Sequence, residues 1–162
     1  MRSLKLLKPT VAIAVGEGLR LCNAKGVPVL VYETRRTLKR QAELYERGRS
    51  APGPKVTNAR PGYSWHNFDR AIDAVPWELY AADRSVRSKL DWSPFSSRAA
   101  AAEFRRTGEL DTLDERWAVM VESFEKAGLE WAGRWTRFRE YVHFQMPEGE
   151  TLAGLRGAAG IV

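Results

Sequence analysis

A single cysteine in 162 residues leaves this chain no covalent or thiolate scaffold to fold around. Cys22 has no partner for an intramolecular disulfide, and zinc sites built from cysteines are excluded. The fold must rest on a hydrophobic core, and Cys22, on the apolar side of a predicted helix, reads as a small core residue rather than a nucleophile. Composition permits such a core. A chain that is 44% hydrophobic and 28% charged is neither disordered nor membrane-spanning, and its length suits one domain better than two. The formal charge of +6 favours anionic partners: nucleic acid, acidic lipid or the cell envelope.

Periodicity places the elements. Pro9 and Thr10 open a helix over 9–25 with Val11, Val15, Leu19 and Cys22 as its stripe, and Gly26 stops it. Val27 to Tyr32 reads as a strand. Thr37 caps a second helix carrying Leu38, Gln41, Ala42 and Tyr45, with Gly48 at its end. From Ser50 to Tyr63 three prolines and two glycines mark a loop of the kind that carries function. Arg70 to Val75 reads as a buried strand, 76–95 as irregular with Trp77 and Trp92, and Ser97 to Arg106 as a helix. Thr112-Leu113-Asp114-Glu115 fits a capping box, followed by Trp117, Met120, Val121 and Phe124 at helical spacing and by Gly128. Leu129 to Ala132 and Tyr141 to Gln145 read as strands, and Thr151 to Val162 as a weakly apolar tail. The expected class is α+β, a small antiparallel sheet with helices packed on one side. Val11 to Val15 is the longest early apolar run and Glu17 and Arg20 interrupt it, so neither a signal peptide nor a transmembrane segment is expected.

The chain has only two histidines. His66 lies in Ser64-Trp65-His66-Asn67-Phe68-Asp69-Arg70-Ala71-Ile72-Asp73, and His143 in Glu140-Tyr141-Val142-His143-Phe144. Catalytic zinc takes three histidine or carboxylate ligands and leaves a fourth position for water, whose pKa falls from ~16 to about 7. His66, Asp73 and His143 supply such a set. A nearby carboxylate must then take the water's proton, and Glu140 is the best candidate. In a continuous strand residues 140 and 143 would face opposite sides, so the chain must bend between them or Glu140 must precede the strand. Taken singly, a histidine in a strand is more often a hydrogen-bonded core residue, and an isolated Asp can simply cap a turn.

Ser64, His66, Ala71 and Asp73, followed by Glu140 and His143, resemble the zinc peptidase family of D-Ala-D-Ala carboxypeptidases, D-Ala-D-Ala dipeptidases and phage L-alanyl-D-glutamate endopeptidases. Arg36-Thr37-Leu38-Lys39-Arg40-Gln41, then Leu44-Tyr45-Glu46-Arg47-Gly48-Arg49, resemble that family's helix. Val56-Thr57-Asn58-Ala59 with Pro61-Gly62-Tyr63 resemble the loop before its histidine motif, and Gly128 to Gly133 its penultimate strand. The resemblance covers roughly 9–146, leaving 147–162 as a tail, and implies a hedgehog and D-Ala-D-Ala peptidase-like fold with zinc in a cleft. It makes His66, Asp73 and His143 the zinc ligands, Glu140 the base and later the acid, and Arg36 the stabiliser of the oxyanion. Gln41 and Ser64 fall at substrate-binding positions. For Arg36 and Gln41 the alternative is ordinary solvation at a helix start. One position departs from the family, Asp69 where glycine is common. That points to a turn with left-handed backbone, which Asp tolerates better than most residues.

The resemblance implies hydrolysis of a peptidoglycan stem peptide. An L-Ala–D-Glu endopeptidase, a phage endolysin held in the host cytoplasm until a holin opens the membrane, fits the basic surface and an anionic envelope; it is expected to act as a monomer. A D-Ala-D-Ala carboxypeptidase or dipeptidase would share the metal site. A zinc-stabilised cell-wall binding module is the non-enzymatic alternative, but it has no need of Glu140. Nucleic-acid binding is not expected, because the 26 Lys and Arg residues are spread along the chain.

Overall fold

The computed structural model describes residues 3–76 and 94–161. The irregular segment with Trp77 and Trp92 lies outside the described residues. Among the described residues the elements follow in the order α1 (Pro9–Ala24), β1 (Val29–Glu33), α2 (Leu38–Glu46), β2 (Ala71–Pro76), α3 (Arg98–Thr107), α4 (Glu115–Lys126), β3 (Glu130–Trp131), β4 (His143–Gln145) and α5 (Leu152–Ala158). The strands form one antiparallel sheet in the order β1-β2-β4-β3. The α+β class expected from the sequence is the class observed.

Helix starts follow side-chain chemistry. The Thr37, Ser97 and Thr151 hydroxyls accept from Arg40, Ala100 and Gly154 N–H, capping α2, α3 and α5. The capping box expected at Thr112 is not formed. A 3-10 turn over Leu110–Thr112 takes up that residue, whose hydroxyl donates back to the Glu109 carbonyl. Asp114 becomes the cap of α4 and accepts from the Arg116 N–H. The last two strands are shorter than the apolar runs suggested. Trp131 leads into a 3-10 turn, and the chain before His143 curls instead of extending.

Side chains alternate across the sheet. On one face Ile72, Ala74, Trp131 and Phe144 meet the apolar sides of α1 and α4 in a core that includes Val11, Val15, Cys22, Trp117, Met120, Val121 and Phe124. Aromatic rings bind the layers together: Phe144 lies 4.9 Å from Phe124, and Trp131 5.5 Å from Phe104. The other face of β2 and β4 carries Asp73, His143 and Gln145. Leu44 of α2 and Leu152 of α5 border the cleft above it.

The C-terminal tail is docked. Buried Arg70 pairs with Glu148 and, at 2.6 Å, with Glu150, and the Arg156 guanidinium lies 3.7 Å from the centre of the Tyr63 ring. Against α4, α1 approaches closely at Gly18, where an added Cβ would stand 2.1 Å from Cδ1 of the fully buried Phe124. Alanine in a helix interior is normally favoured over glycine by about 1 kcal/mol. Gly18→Ala should reverse that sign and destabilise by about 1–3 kcal/mol through overpacking, read as a lower midpoint in denaturant with an unchanged slope.

Candidate metal centre

The site is assembled from two strands and two loops. Antiparallel pairing sets Asp73 directly opposite His143 and Ala71 opposite Gln145, so Asp73, His143 and Gln145 share a face. The register of β1 on β2 shifts between Val31 and Glu33, and Glu33 also comes to lie opposite Asp73. Bulges of this kind re-aim side chains beside functional sites. His66 arrives on the 3-10 turn Trp65–Phe68, which Ser64 precedes. That turn ends at Asp69, with φ 63° and ψ 27°. This is the left-handed turn the sequence pointed to. Arg35 grips the Asp69 carboxylate through two nitrogens, one at 2.7 Å. Neither residue lines the cleft.

Three donor atoms converge. His66 Nε2 is 3.1 Å from Asp73 Oδ1 and 3.2 Å from His143 Nδ1, and His143 Nδ1 is 3.3 Å from Asp73 Oδ1. All three residues are buried. A tetrahedral metal with bonds of about 2.0 Å separates neighbouring donors by about 3.3 Å, so this group could hold a metal ion.

Surrounding groups fix which ring nitrogens point inward. His66 Nδ1 donates to the Thr34 carbonyl at 2.6 Å and leaves Nε2 facing the centre. Gln145 Nε2 donates to Glu130 at 3.1 Å, which turns its Oε1 towards His143 Nε2 at 3.2 Å and leaves Nδ1 inward. The segments bearing Arg36 and His66 are stitched together, Arg36 N–H donating to the His66 carbonyl at 2.9 Å and Asn67 Nδ2 to the Arg36 carbonyl at 2.8 Å.

Burial alone would push the Asp73 carboxyl up, but the two imidazoles outweigh it and hold Asp73 well below the usual carboxylate range. For His143 burial works downward, and Asp73 overcomes it, raising the imidazole above its ordinary value. Glu140 stands just before β4, its N–H and carbonyl closing turns to Ala132 and His143. Its Oε2 is 3.9 Å from His143 Nδ1, so the bend required by the Glu140–His143 spacing is present. Burial raises the Glu140 pKa, with Asp73 adding to the rise.

Arg36 is committed on several sides. Nη2 pairs with Glu33 and, at 3.2 Å, with Asp73 Oδ2, while Nη1 donates to Gln41 Oε1 at 3.1 Å. Its Nε is buried without a partner among the described residues. Gln41 is fully buried behind Arg36, its Nε2 donating to the Ala59 carbonyl at 2.7 Å. It is not on the cleft wall, whereas Ser64 is. Tyr32, Glu33, Trp135 and Gln145 also belong to the site or its support and were not singled out from sequence. Gln145 had a usable signal, because it follows His143 at the strand period of two. The Thr34 carbonyl had none, since a backbone acceptor leaves no trace in residue type.

The whole forms a cleft of about 530 Å³ with His66, Asp73, Glu140 and His143 along it. Such a centre, with one carboxylate beside the convergent donors and a buried guanidinium behind, has the parts of a hydrolytic metal site. A family model described as D-alanyl-D-alanine carboxypeptidase matches residues 57–146. The chain belongs to this family of M15 peptidases. The matched span holds His66, Asp73, Glu140 and His143 but not Arg36 or Gln41.

Over 122 residues the chain is 34% identical to the peptidoglycan L-alanyl-D-glutamate endopeptidase CwlK of Bacillus subtilis, covering 75% of this chain and 62% of that one. It thus spans less than two thirds of that relative's length. Among solved structures, it is similar to the L-Ala D-Glu endopeptidase ChiX of Serratia marcescens, with TM-score 0.49, 21% identity, and 88% and 82% of the two chains covered. The LD-carboxypeptidase LdcB gives TM-score 0.48 and 17% identity over 96% and 72%.

Loss of an outer hydrogen-bond partner of a metal-binding histidine typically costs 10–100-fold in metal affinity. Gln145→Leu should therefore weaken metal binding by about 10–100-fold while far-UV circular dichroism is unchanged, as read by competition with a chromophoric chelator.

Proposed function

We propose that this chain is a zinc peptidase that hydrolyses peptidoglycan stem peptides at the L-Ala–D-Glu bond, with His66, Asp73 and His143 holding zinc. The observation that carries this reading is the triangle of donors 3.1–3.3 Å on a side, with the Glu140 carboxylate 3.9 Å from one of them. Zinc bound there supplies a Lewis acid that polarises the scissile carbonyl and acidifies a water.

The chain's own groups do the rest. Glu140 takes the proton of the attacking water and delivers it to the leaving amine. Arg36 is held by Glu33, Asp73 and Gln41 on the cleft wall, so its positive charge is already oriented for the oxyanion before substrate arrives. Gln41 acts as the strut behind it. Ser64 lines the cleft beside His66 and contacts the substrate backbone in this reading.

A binding module would have no use for Glu140. A half-buried carboxylate with no hydrogen-bond donor among the described residues costs stability, and such groups cluster at functional sites. D-Ala-D-Ala cleavage is the second reading, favoured by the description of the family model. The L-Ala–D-Glu reading rests on the likeness to CwlK. Among the described residues no helix is long and apolar enough to cross a membrane. The finer reading is a monomeric endolysin that waits in a host's cytoplasm for holin-mediated release, its +6 charge suited to an anionic wall.

Incubation of zinc-loaded protein with purified peptidoglycan should expose new D-Glu amino termini with L-Ala left on muramic acid. Release of D-alanine alone would move the assignment to the carboxypeptidase reading. Glu140→Gln should keep zinc and the fold yet lose about 10²–10⁴-fold in kcat; full activity in that variant would exclude it as the base. His66→Ala and His143→Ala should each lose stoichiometric zinc, measured by elemental analysis after dialysis.

A further inference from the structure

The exposed large hydrophobic residues among those described are Ile13, Leu38, Val56, Tyr63 and Phe138, and three of them, Val56, Tyr63 and Phe138, line the same cleft. Apolar groups gathered at the mouth of a polar site mark a ligand surface rather than stray exposure. Two loops bring them there. The loop before His66 contributes Val56 and Tyr63. The chain before His143 contributes Phe138 and Trp135, whose ring centre is 5.8 Å from that of His143.

Phe138 sits at φ 49°. For a bulky residue this conformation is a true outlier, and such strain clusters at ligand-contacting positions. Among the described residues the other non-glycine positions with positive φ are Asp69 and Glu148, whose carboxylates are held by Arg35 and Arg70. Phe138 instead presents its ring to solvent, 52% exposed, two residues before Glu140. Across the cleft, the Arg156 guanidinium covers one face of Tyr63, which is 46% exposed, and supports the ring from the C-terminal helix.

We propose that Phe138, Trp135, Tyr63 and Val56 form a saccharide subsite that takes the sugar ring carrying the stem peptide. This rests on the L-Ala–D-Glu reading. Under it, only L-Ala and a lactyl link separate the scissile carbonyl from N-acetylmuramic acid, so the sugar must lie against the rim of the cleft. The peptide on the other side of the bond begins with a D-Glu carboxylate, which an apolar aromatic rim does not suit. The C–H face of a pyranose suits it well, because aromatic faces carry the negative side of the ring quadrupole. An enzyme acting at D-Ala-D-Ala works at the far end of the stem and would find no sugar there.

The test compares a muramyl-peptide with the same peptide acetylated at L-Ala and lacking the sugar. Zinc-loaded wild type should cleave the muramyl-peptide with kcat/KM about tenfold higher, mainly through KM, the size expected from one or two aromatic contacts. Phe138→Ala should bring that ratio towards one, and Phe138→Tyr should restore it. Phe138→Gly should lose the ratio as well, yet melt at a higher temperature than Phe138→Ala, because glycine accepts the backbone angle. Cleavage of both substrates at L-Ala–D-Glu with no sugar preference, or equal losses on both in Phe138→Ala, would overturn the subsite and leave the endopeptidase reading standing. Wild type that releases only D-alanine from a stem pentapeptide would overturn both.

Discussion

Antiparallel pairing of β2 with β4 is the contact on which the site and the core both depend. It sets Asp73 against His143 on one face and Ile72 against Phe144 on the other. A one-residue slip would carry the metal-binding pair into the hydrocarbon and the core pair into the cleft. The register is held from both sides. Phe144 is locked between Phe124 and Trp131, and β3 fixes the outer edge by placing Glu130 beside Gln145. Two strands present Asp73 and His143, one brings Glu33 to the guanidinium, and one supplies the Glu130 that orients Gln145.

Electrostatics explains why such a polar cluster can be buried. A carboxylate removed from water must be compensated by cations and donors. Asp73 has two imidazoles at one oxygen and Arg36 at the other. Arg36 in turn needs Glu33, which the bulge in β1 turns inward, and Gln41, which α2 delivers. Each charge is answered by a neighbour from a different element, so folding the loops and forming the site are one event. Glu140 is the exception, a half-buried carboxylate with no hydrogen-bond donor among the described residues, and a group of that kind 3.9 Å from a metal-binding histidine is where chemistry is expected.

Much of this was legible in the residues, for identifiable reasons. Helix α1 was readable because Val11, Val15 and Cys22 repeat at helical spacing, and α2 because Thr37 is a good cap. Asp69 announced its left-handed turn by standing where glycine is common. His66, Asp73, Glu140 and His143 were found as a set because two scarce histidines each lay near a carboxylate. The failures are physical too. Thr112 looked like a cap because Glu115 follows at the right spacing, but the 3-10 turn before it claimed the hydroxyl. Glu33 and Tyr32 were invisible because a bulge has no residue signature. Phe138 carries no such signal, because an aromatic residue in a short polar stretch gives no hint that its backbone is left-handed.

Asp73 divides its two oxygens between different tasks: Oδ1 faces the histidines and Oδ2 faces Arg36. A cation held by His66, Asp73 and His143 would therefore share one carboxylate with the guanidinium that faces the cleft. Linkage is reciprocal, so whatever such an ion does to the Asp73–Arg36 pair, a ligand engaging Arg36 would do to the ion by the same free energy. One carboxylate thus couples the two halves of the site.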